Sequence, residues 1–443
     1  MQAGLRHPAR IIPLAFLVAI AIGTALLMLP AARAGQGGAS FVEALFTATS
    51  AVCVTGLTVV DTATYWSGFG QGVILLLFQI GGLGIMAGAT LIGLLVSRRL
   101  GLSTHLLAKV ETRSLGVGEV IPILRLVLGV TLLVEAALAG WLFLRLRGSP
   151  DMAVGEAAWH AVFQAVSAFN NAGFSTWTDS LTQFAPDPAV LLPVAMAVIL
   201  GGLGFPVLYE LRRQPLRPSR WSVHAKLTLV GTATLLALGM LLIAVYEWRN
   251  PATLGGLDGA GKLLGAFFHS AMTRSGGFNT IEVAAMREES VLVQYLLMFI
   301  GGGSAGTAGG IRVTTFFLLG AVVWAEIRGE PDSVVFRRRI CPQVQRQALA
   351  VVLMAVAMIG TGTLAILWLS DAPLQWALFE VVSAFATVGL SSGLSAELSG
   401  AGQCVLAALM YVGRVGTITV VAALALQRRQ RSYRYPEERP LVG

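Results

Sequence analysis

The sequence predicts an all-α integral membrane fold. It reads as four repeats of a membrane helix, a short re-entrant segment and a second membrane helix, related by pseudo-fourfold symmetry. Three observations carry that expectation. First, 55% of the 443 residues are hydrophobic and 12% charged, with mean hydropathy +0.74; a soluble domain carries roughly 25% charged residues. Second, the net charge of +8 is unevenly placed. If the first span starts inside, segments 1–10, 97–125, 211–226, 325–347 and 427–443 face the cytoplasm and hold 22 of the 31 Lys and Arg. Such a bias orients membrane proteins and puts both termini in the cytoplasm. Third, one short segment recurs: FTATSAVCVTGLT, FQAVSAFNNAGFS, FHSAMTRSGGFNT and FEVVSAFATVGLSS. Aligned, the copies superpose Gly56, Gly173, Gly277 and Gly389, each with a phenylalanine ten residues earlier (Phe46, Phe163, Phe267, Phe379). The glycine spacings are 117, 104 and 112 residues, far longer than the ~20–50-residue period of a solenoid.

Eight apolar runs are long enough to cross a bilayer core, which takes ~20 residues: 11–30, 72–96, 121–144, 188–210, 226–247, 290–325, 347–369 and 402–426. They pair around the short segments into repeats over 1–100, 101–215, 216–335 and 336–443. The first run, followed by PAARAG, resembles a signal peptide. A signal core spans only ~7–15 apolar residues, and removing this run would leave repeat 1 without its opening helix, so a retained membrane helix is expected. The run at 290–325 is too long for one straight crossing and is expected to break or tilt. Cys53, Cys341 and Cys404 are scattered, with no C-x-x-C and no histidine cluster, so neither a disulfide framework nor a metal-ligand set is indicated. Basic runs such as Arg337–Arg339 and Arg428–Arg429 follow predicted spans; they suit topology and membrane lipid rather than nucleic acid.

The short segments are too short to cross. Irregular backbone at membrane depth survives only inside protein or along a wet cavity, and four such segments around one axis satisfy both conditions. Entering from outside, their helices would point partly negative C-termini at the centre, which favours a cation. The stretches that follow, with Val54-Thr55-Gly56, Asn171-Ala172-Gly173, Ser275-Gly276-Gly277 and Thr387-Val388-Gly389, would run extended and offer carbonyl oxygens. Glycine lets the backbone approach the axis without a Cβ and adopt positive φ. A ring of carbonyls in place of the hydration shell is how a potassium filter works. One such segment alone would read as a turn between helices. Four, each followed 24–28 residues later by a further glycine (Gly81, Gly201, Gly301, Gly413), do not.

On these motifs, together with GGGSAGTAGG and the late VGRVG, the chain resembles the Trk/Ktr/HKT superfamily of potassium-translocating proteins, most closely the Ktr-type membrane subunit. The likeness covers nearly the whole chain. It implies a plasma-membrane potassium pore with a backbone-carbonyl filter at the twelve residues named above. It also implies that the four repeats are M1–P–M2 units (membrane helix, pore helix, membrane helix), a homodimer with one pore per protomer, and a cytosolic nucleotide-binding (RCK-type) regulatory ring acting in trans. Potassium would be the transported ion, with no organic cofactor on this chain. In plant relatives a serine at the first filter glycine goes with sodium preference; glycine at Gly56 implies potassium. The segments are not TVGYG, so a looser filter is expected.

The stretch Gly301-Gly302-Gly303-Ser304-Ala305-Gly306-Thr307-Ala308-Gly309-Gly310 lies inside the overlong run. Glycine costs about 1 kcal/mol against alanine within a helix, so it should unwind and sit in the cavity below the filter. The resemblance makes 301–312 an intramembrane gating loop. Gly302–Gly306 also fits G-x-S-x-G, but all five histidines precede Ser304 and the required strand–turn–helix context is missing. No lysine follows to make a phosphate loop. Hydrolase or other enzyme chemistry is not expected. Charges at membrane depth usually face a cavity, which singles out three arginines. Arg414, between two glycines, is placed by the resemblance beside the loop, where it could tether loop carbonyls and oppose cations. Arg312 closes the loop, or else snorkels to the cytoplasm. Arg274 should point away from the axis. His160 and His269 read as buried or interfacial rather than as ligands, and Asn170 and Asn171 as braces of the second filter strand or as loop caps. A coupled symporter is the competing function. It would show inverted repeats and midplane acids, whereas these repeats run one way and Glu135 alone approaches mid-span.

Overall fold

The computed structural model describes residues 8–84, 120–148, 152–215 and 217–416. The later parts of runs 72–96 and 402–426 and most of the basic segments 97–125 and 427–443 lie outside them. The described residues are helical apart from 3-10 turns, loops and one short hairpin. Long helices α1 (Pro8–Leu27), α4 (Val120–Leu146), α8 (Val223–Glu247) and α12 (Pro342–Leu369) alternate with short ones: α2 (Phe41–Val52), α5 (Val154–Asn170), α9 (Gly259–Met272) and α13 (Leu374–Phe385). After each short helix comes a further apolar helix: α3 (Gly68–Gly84), α6 (Pro188–Leu203) with α7 (Phe205–Arg213), α10 (Glu288–Ile300) with α11 (Val313–Ile327), and, past the single turn α14 (Leu394–Glu397), α15 (Gly400–Tyr411).

Local chemistry sets the starts. Ser40 caps α2 in a reciprocal capping box with Glu43. Asp187, Ser222, Asp258 and Ser399 side chains accept amides in the first turns of α6, α8, α9 and α15. Among the described residues three helices, Arg125–Leu146, Val223–Glu247 and Pro342–Leu369, are by themselves long and apolar enough to cross a bilayer. Their outward faces leave large apolar side chains bare: Leu133 is 69% exposed, Leu364 68% and Trp368 88%. A soluble monomer does not carry a surface of this kind.

Two long runs break. The expected break in 290–325 occurs at Gly301, where α10 stops and α11 resumes at Val313. The run at 188–210, which reads as one span, is instead two helices bent by 97°. The hinge is Gly204, at φ 90°, followed by Phe205-Pro206 at the start of α7. Proline's missing amide and fixed φ suit a first turn but not a continuing helix.

The short helices are the hub. Each packs on the long helix before it, α1·α2, α4·α5, α8·α9 and α12·α13. Each also takes up a helix from a neighbouring unit. Phe78 of α3 meets Phe163 of α5 edge-on at 5.5 Å; α6 packs on α9, α10 on α13, and α15 returns to α2. The second glycines make these contacts possible. A Cβ on Gly81, Gly201 or Gly413 would lie 2.1, 1.9 or 1.8 Å from the carbonyl oxygen of Val52, Phe169 or Phe385. Each of those carbonyls stands four residues before a recurring glycine. Gly301 departs from this pattern and presses on Gly309 O of its own loop.

Gly413→Ala should therefore lower the yield of folded protein and its thermal midpoint, at an overpacking cost of about 1–3 kcal/mol. Gly140→Ala, in α4 with no atom near its Cβ, should leave both unchanged or slightly higher. Equal behaviour of the two variants in a detergent melt would contradict this packing.

Candidate ion filter and the loop beneath it

The four short helices end because the backbone changes hand. Val54 and Gly56 have φ 56° and 93°, Asn171 and Gly173 60° and 72°, Ser275 and Gly277 85° and 73°, Thr387 and Gly389 48° and 95°. The residues between them, Thr55, Ala172, Gly276 and Val388, stay at ordinary φ. In a strand, successive peptide units point to opposite sides; reversing the hand at every second residue turns them to one side. Left-handed backbone is an outlier for β-branched Val54 and Thr387, and each strained residue costs about 1–3 kcal/mol.

The glycines of the four segments meet. A Cβ on Gly56 would lie 2.9 Å from Gly173 Cα, one on Gly173 3.0 Å from Gly277 Cα, one on Gly277 3.4 Å from Gly389 Cα, and one on Gly389 3.2 Å from Gly56 Cα. The chain thus closes a ring of backbone in sequence order, with no room for side chains at those positions. The neighbouring side chains Val54, Leu57, Ala172, Phe174, Val388 and Leu390 are all buried in the apolar core. That leaves peptide groups facing the ring.

Serines staple the strands to their helices. Ser50, Ser167 and Ser383 each stand six residues before a ring glycine. Their carbonyls accept from the amides of Thr55, Ala172 and Val388 at 2.8, 2.8 and 2.9 Å. Ser50 Oγ and Ser383 Oγ also accept from Gly56 N (3.1 Å) and Gly389 N (3.2 Å), while Ser167 Oγ donates to Phe174 O (2.7 Å). The sequence reading passed over these serines, although they share one column in three of the four segments. The third segment has Ala271 there and uses other means. Ser275 Oγ donates to Thr387 O (2.7 Å), tying segment three to segment four. Arg274, buried and turned outward as expected, donates to Gly301 O and to the Thr232 carbonyl and hydroxyl, all at 3.2 Å.

Further buried side chains back the ring; Asn170 is among the residues the sequence singles out, whereas Glu380 and Gln79 are not. Glu380 of α13 is buried and accepts from the Ser391 hydroxyl (2.7 Å), the Ser392 amide (2.8 Å) and hydroxyl (3.0 Å), and Ser395 (2.5 Å). Asn170 turns back to donate to Gln79 Oε1 (2.6 Å) and Glu135 Oε1 (2.9 Å), whose other oxygen accepts from Gln79 Nε2 (3.2 Å). Of the histidines, His160 pairs with Thr176 Oγ1 at 2.5 Å and stacks on Trp177, and His269 is buried in α9. Neither stands in a cluster that could hold a metal ion, and no such cluster occurs among the described residues. Of the four phenylalanines, Phe46, Phe163 and Phe379 are buried; Phe267 is half-buried, with Phe268 buried beside it.

The glycine-rich segment is unwound, and it is seated against the inner ends of these helices. Gly303 N and Thr307 N donate to Gly202 O (2.8 Å) and Gly201 O (3.2 Å), carbonyls set free by the break in α6. Thr307 Oγ1 donates to Asn171 Oδ1 (3.1 Å). Gly309 N donates to Ser275 Oγ (3.0 Å), linking the loop to segments three and four. Gly301, Ala305, Gly310 and Arg312 take left-handed backbone. Among the described residues the Ser304 hydroxyl pairs with Thr314 Oγ1 at 2.8 Å.

The two arginines divide the work differently from the sequence reading. Arg414, in a π-helical turn over Val412–Gly416, is buried, and its Nη1 donates to Thr387 Oγ1 at 3.3 Å. It reaches the fourth segment; no bond to loop carbonyls is seen among the described residues. The loop's own clamp is Arg312, whose Nη1 donates to Gly303 O (3.1 Å) and to Ala308 O. A buried arginine's partner depends on which backbone oxygens lack one, and spacing does not reveal that.

Comparison with known proteins places the whole chain. Residues 1–434 match the TrkH family, described as cation transport protein. The Ktr system potassium uptake protein B of Bacillus subtilis is 39% identical over 436 residues, 98% of this chain and 97% of that protein. The protein of the same name from Vibrio alginolyticus is 37% identical, over 98% and 94%. The crystal structure of the potassium transporter TrkH from Vibrio parahaemolyticus superposes with a TM-score of 0.70 at 17% identity, covering 95% of this chain and 84% of that one.

Proposed function

The chain belongs to the TrkH family of cation transport proteins, and we propose that it is the potassium-conducting pore subunit of a Ktr-type uptake system. The observation that carries this reading is the closed glycine ring with alternating backbone hand. It is a built set of carbonyls at which a potassium ion can exchange its water shell. The proposal includes four M1–P–M2 units, over 1–100, 101–215, 216–335 and 336–443, with pseudo-fourfold symmetry about one axis through Gly56, Gly173, Gly277 and Gly389. The filter is Val54–Gly56, Asn171–Gly173, Ser275–Gly277 and Thr387–Gly389. The short helices point their C-termini at the axis and add partial negative charge there. Both termini are cytoplasmic in the plasma membrane, by the arginine and lysine bias. A homodimer and an RCK-type nucleotide-binding ring in trans follow from the family resemblance.

The gate in this reading is the loop 301–312. It is held by the α6 carbonyls, by Ser275 and by Arg312, and Arg414 adds positive charge at the fourth segment. Glu135, the one acid near mid-span, is engaged by Gln79 and Asn170, which supports the pore reading over a coupled carrier.

Gly56→Ser should lower the potassium-to-sodium uptake ratio, measured on the protein that reaches the membrane, in cells lacking their own potassium uptake. At φ 93° its Cβ would sit 2.5 Å from Ala172 O, so the ring must deform. An unchanged ratio would remove Gly56 from the filter.

Arg312→Ala, or deletion of 304–308, should raise rubidium flux in proteoliposomes without a cytosolic partner. A lost charge-assisted bond of about 1.5–3 kcal/mol corresponds to roughly a tenfold or greater shift in open population. Arg414→Ala should do so less, acting through Thr387. Partner-free flux that stays at the parent level in well-folded loop variants would mean the loop is not the gate.

A further inference from the structure

Away from the pore, two connecting segments form an open cleft of about 880 Å³. One wall is the approach to α8, with Arg220, Trp221 and Lys226. The other is the tip of a hairpin, β1 (Val334–Val335) and β2 (Arg338–Arg339), that joins α11 to α12. Val334 pairs with Arg339 and Val335 with Arg338, which leaves a two-residue turn of Phe336 and Arg337. Both turn residues are left-handed, at φ 48° and 62°. Turns of this kind strongly prefer Asn-Gly, and bulky side chains there are strained. The strain holds an aromatic ring and a guanidinium at the mouth of the cleft.

Most of the charge there is unpaired among the described residues. Arg339 pairs with Asp332 at 2.7 Å. Arg220, Lys226, Arg337 and Arg338 form no ion pair among the described residues. Lys226 Nζ lies 5.9 Å from the Phe336 ring and 3.4 Å from Ser219 O. The other nearby carboxylate, Glu210, is engaged by the Ser222 amide and hydroxyl. It therefore blocks the start of α8 to an anion and leaves the arginine side open. Apolar surface continues from the cleft. Val334 and Phe336 are exposed, β1 packs on α11, and α11 leaves Val323, Trp324 and Ile327 bare.

We propose that this cleft binds the headgroup of an anionic phospholipid. The phosphate would sit between Arg337, Arg338 and Arg220, and an acyl chain would lie along the bare face of α11. Arginine forks match phosphate oxygens, and the inner leaflet of a membrane supplies such lipids to basic interfacial segments. An acidic protein segment would match the charge but not the apolar strip running on to a membrane helix. The inference rests on the orientation proposed above, which puts both walls on the cytoplasmic side. Labelling of Ser219→Cys in intact cells tests that orientation separately, because lipid binding in detergent does not depend on it.

The test uses the full chain in neutral detergent, titrated with phosphatidylglycerol, phosphatidylcholine or inorganic phosphate. Bound lipid is read by native mass spectrometry and stability by thermal unfolding. The parent should retain phosphatidylglycerol over phosphatidylcholine and gain thermal stability from it, with inorganic phosphate at equal concentration not competing. Arg337→Gln with Arg338→Gln should weaken phosphatidylglycerol about tenfold or more, as removal of two basic contacts implies, with an unchanged lipid-free melt. Phe336→Gly, which relieves the turn strain, should keep the fold and weaken retention less. Three results would overturn the proposal: equal phosphatidylglycerol binding by parent and double variant, displacement by inorganic phosphate alone, or a double variant that keeps lipid but loses a cytosolic partner.

Discussion

Backbone crowding at one place governs the rest of the molecule. Four chain segments bring Gly56, Gly173, Gly277 and Gly389 so close that any Cβ would fall within about 3 Å of a neighbouring segment, a separation real Cβ contacts do not tolerate. Side chains must therefore leave the ring, and they do: Val54, Leu57, Ala172, Phe174, Val388 and Leu390 fill the surrounding core. The alternating hand of the backbone at residues 54–56, 171–173, 275–277 and 387–389 is the conformation that empties the ring of side chains while aligning peptide groups. It is costly for Val54 and Thr387, and that strain persists only because the surroundings over-determine it.

The surroundings supply that determination in layers. Serine staples hold three strands to their own helices; Ser275 and Arg274 hold the third by different bonds. Behind them, Glu380 gathers three serines, and Asn170 ties α5 to α3 and α4 through Gln79 and Glu135. Buried carboxylates this well supplied with donors are the arrangement in which burial is tolerable. The glycines Gly81, Gly201 and Gly413 let the outer helices lie directly on the ends of the short ones. The break in α6 then frees carbonyls that the glycine loop caps. Ring support, helix packing and loop seating thus share the same few atoms, so a disturbance at Gly201 or Ser275 reaches all three.

How much of this was legible depended on repetition. The ring glycines were readable because one column recurs four times, and the loop because its glycine density cannot hold a helix. The serine staples were equally readable in the same column and were passed over, since serine in a short helix has a bland reading as a small residue. The bend at Gly204 was hidden inside an unbroken apolar run, although Gly204-Phe205-Pro206 carries the signal. The hairpin at 334–339 had no signal, because Phe336-Arg337 is not a turn sequence. The partners of Arg312 and Arg414 were beyond sequence, as they follow from which carbonyls tertiary packing leaves unbonded.

The central claim is that the glycine ring is where a dehydrated monovalent cation binds. Anomalous diffraction from crystals grown in thallium, a heavy stand-in for potassium, tests it directly. The account predicts at least one thallium peak on the axis of the ring, equidistant from the four segments at residues 54–56, 171–173, 275–277 and 387–389. Thallium found only elsewhere in protein that still transports potassium would contradict it.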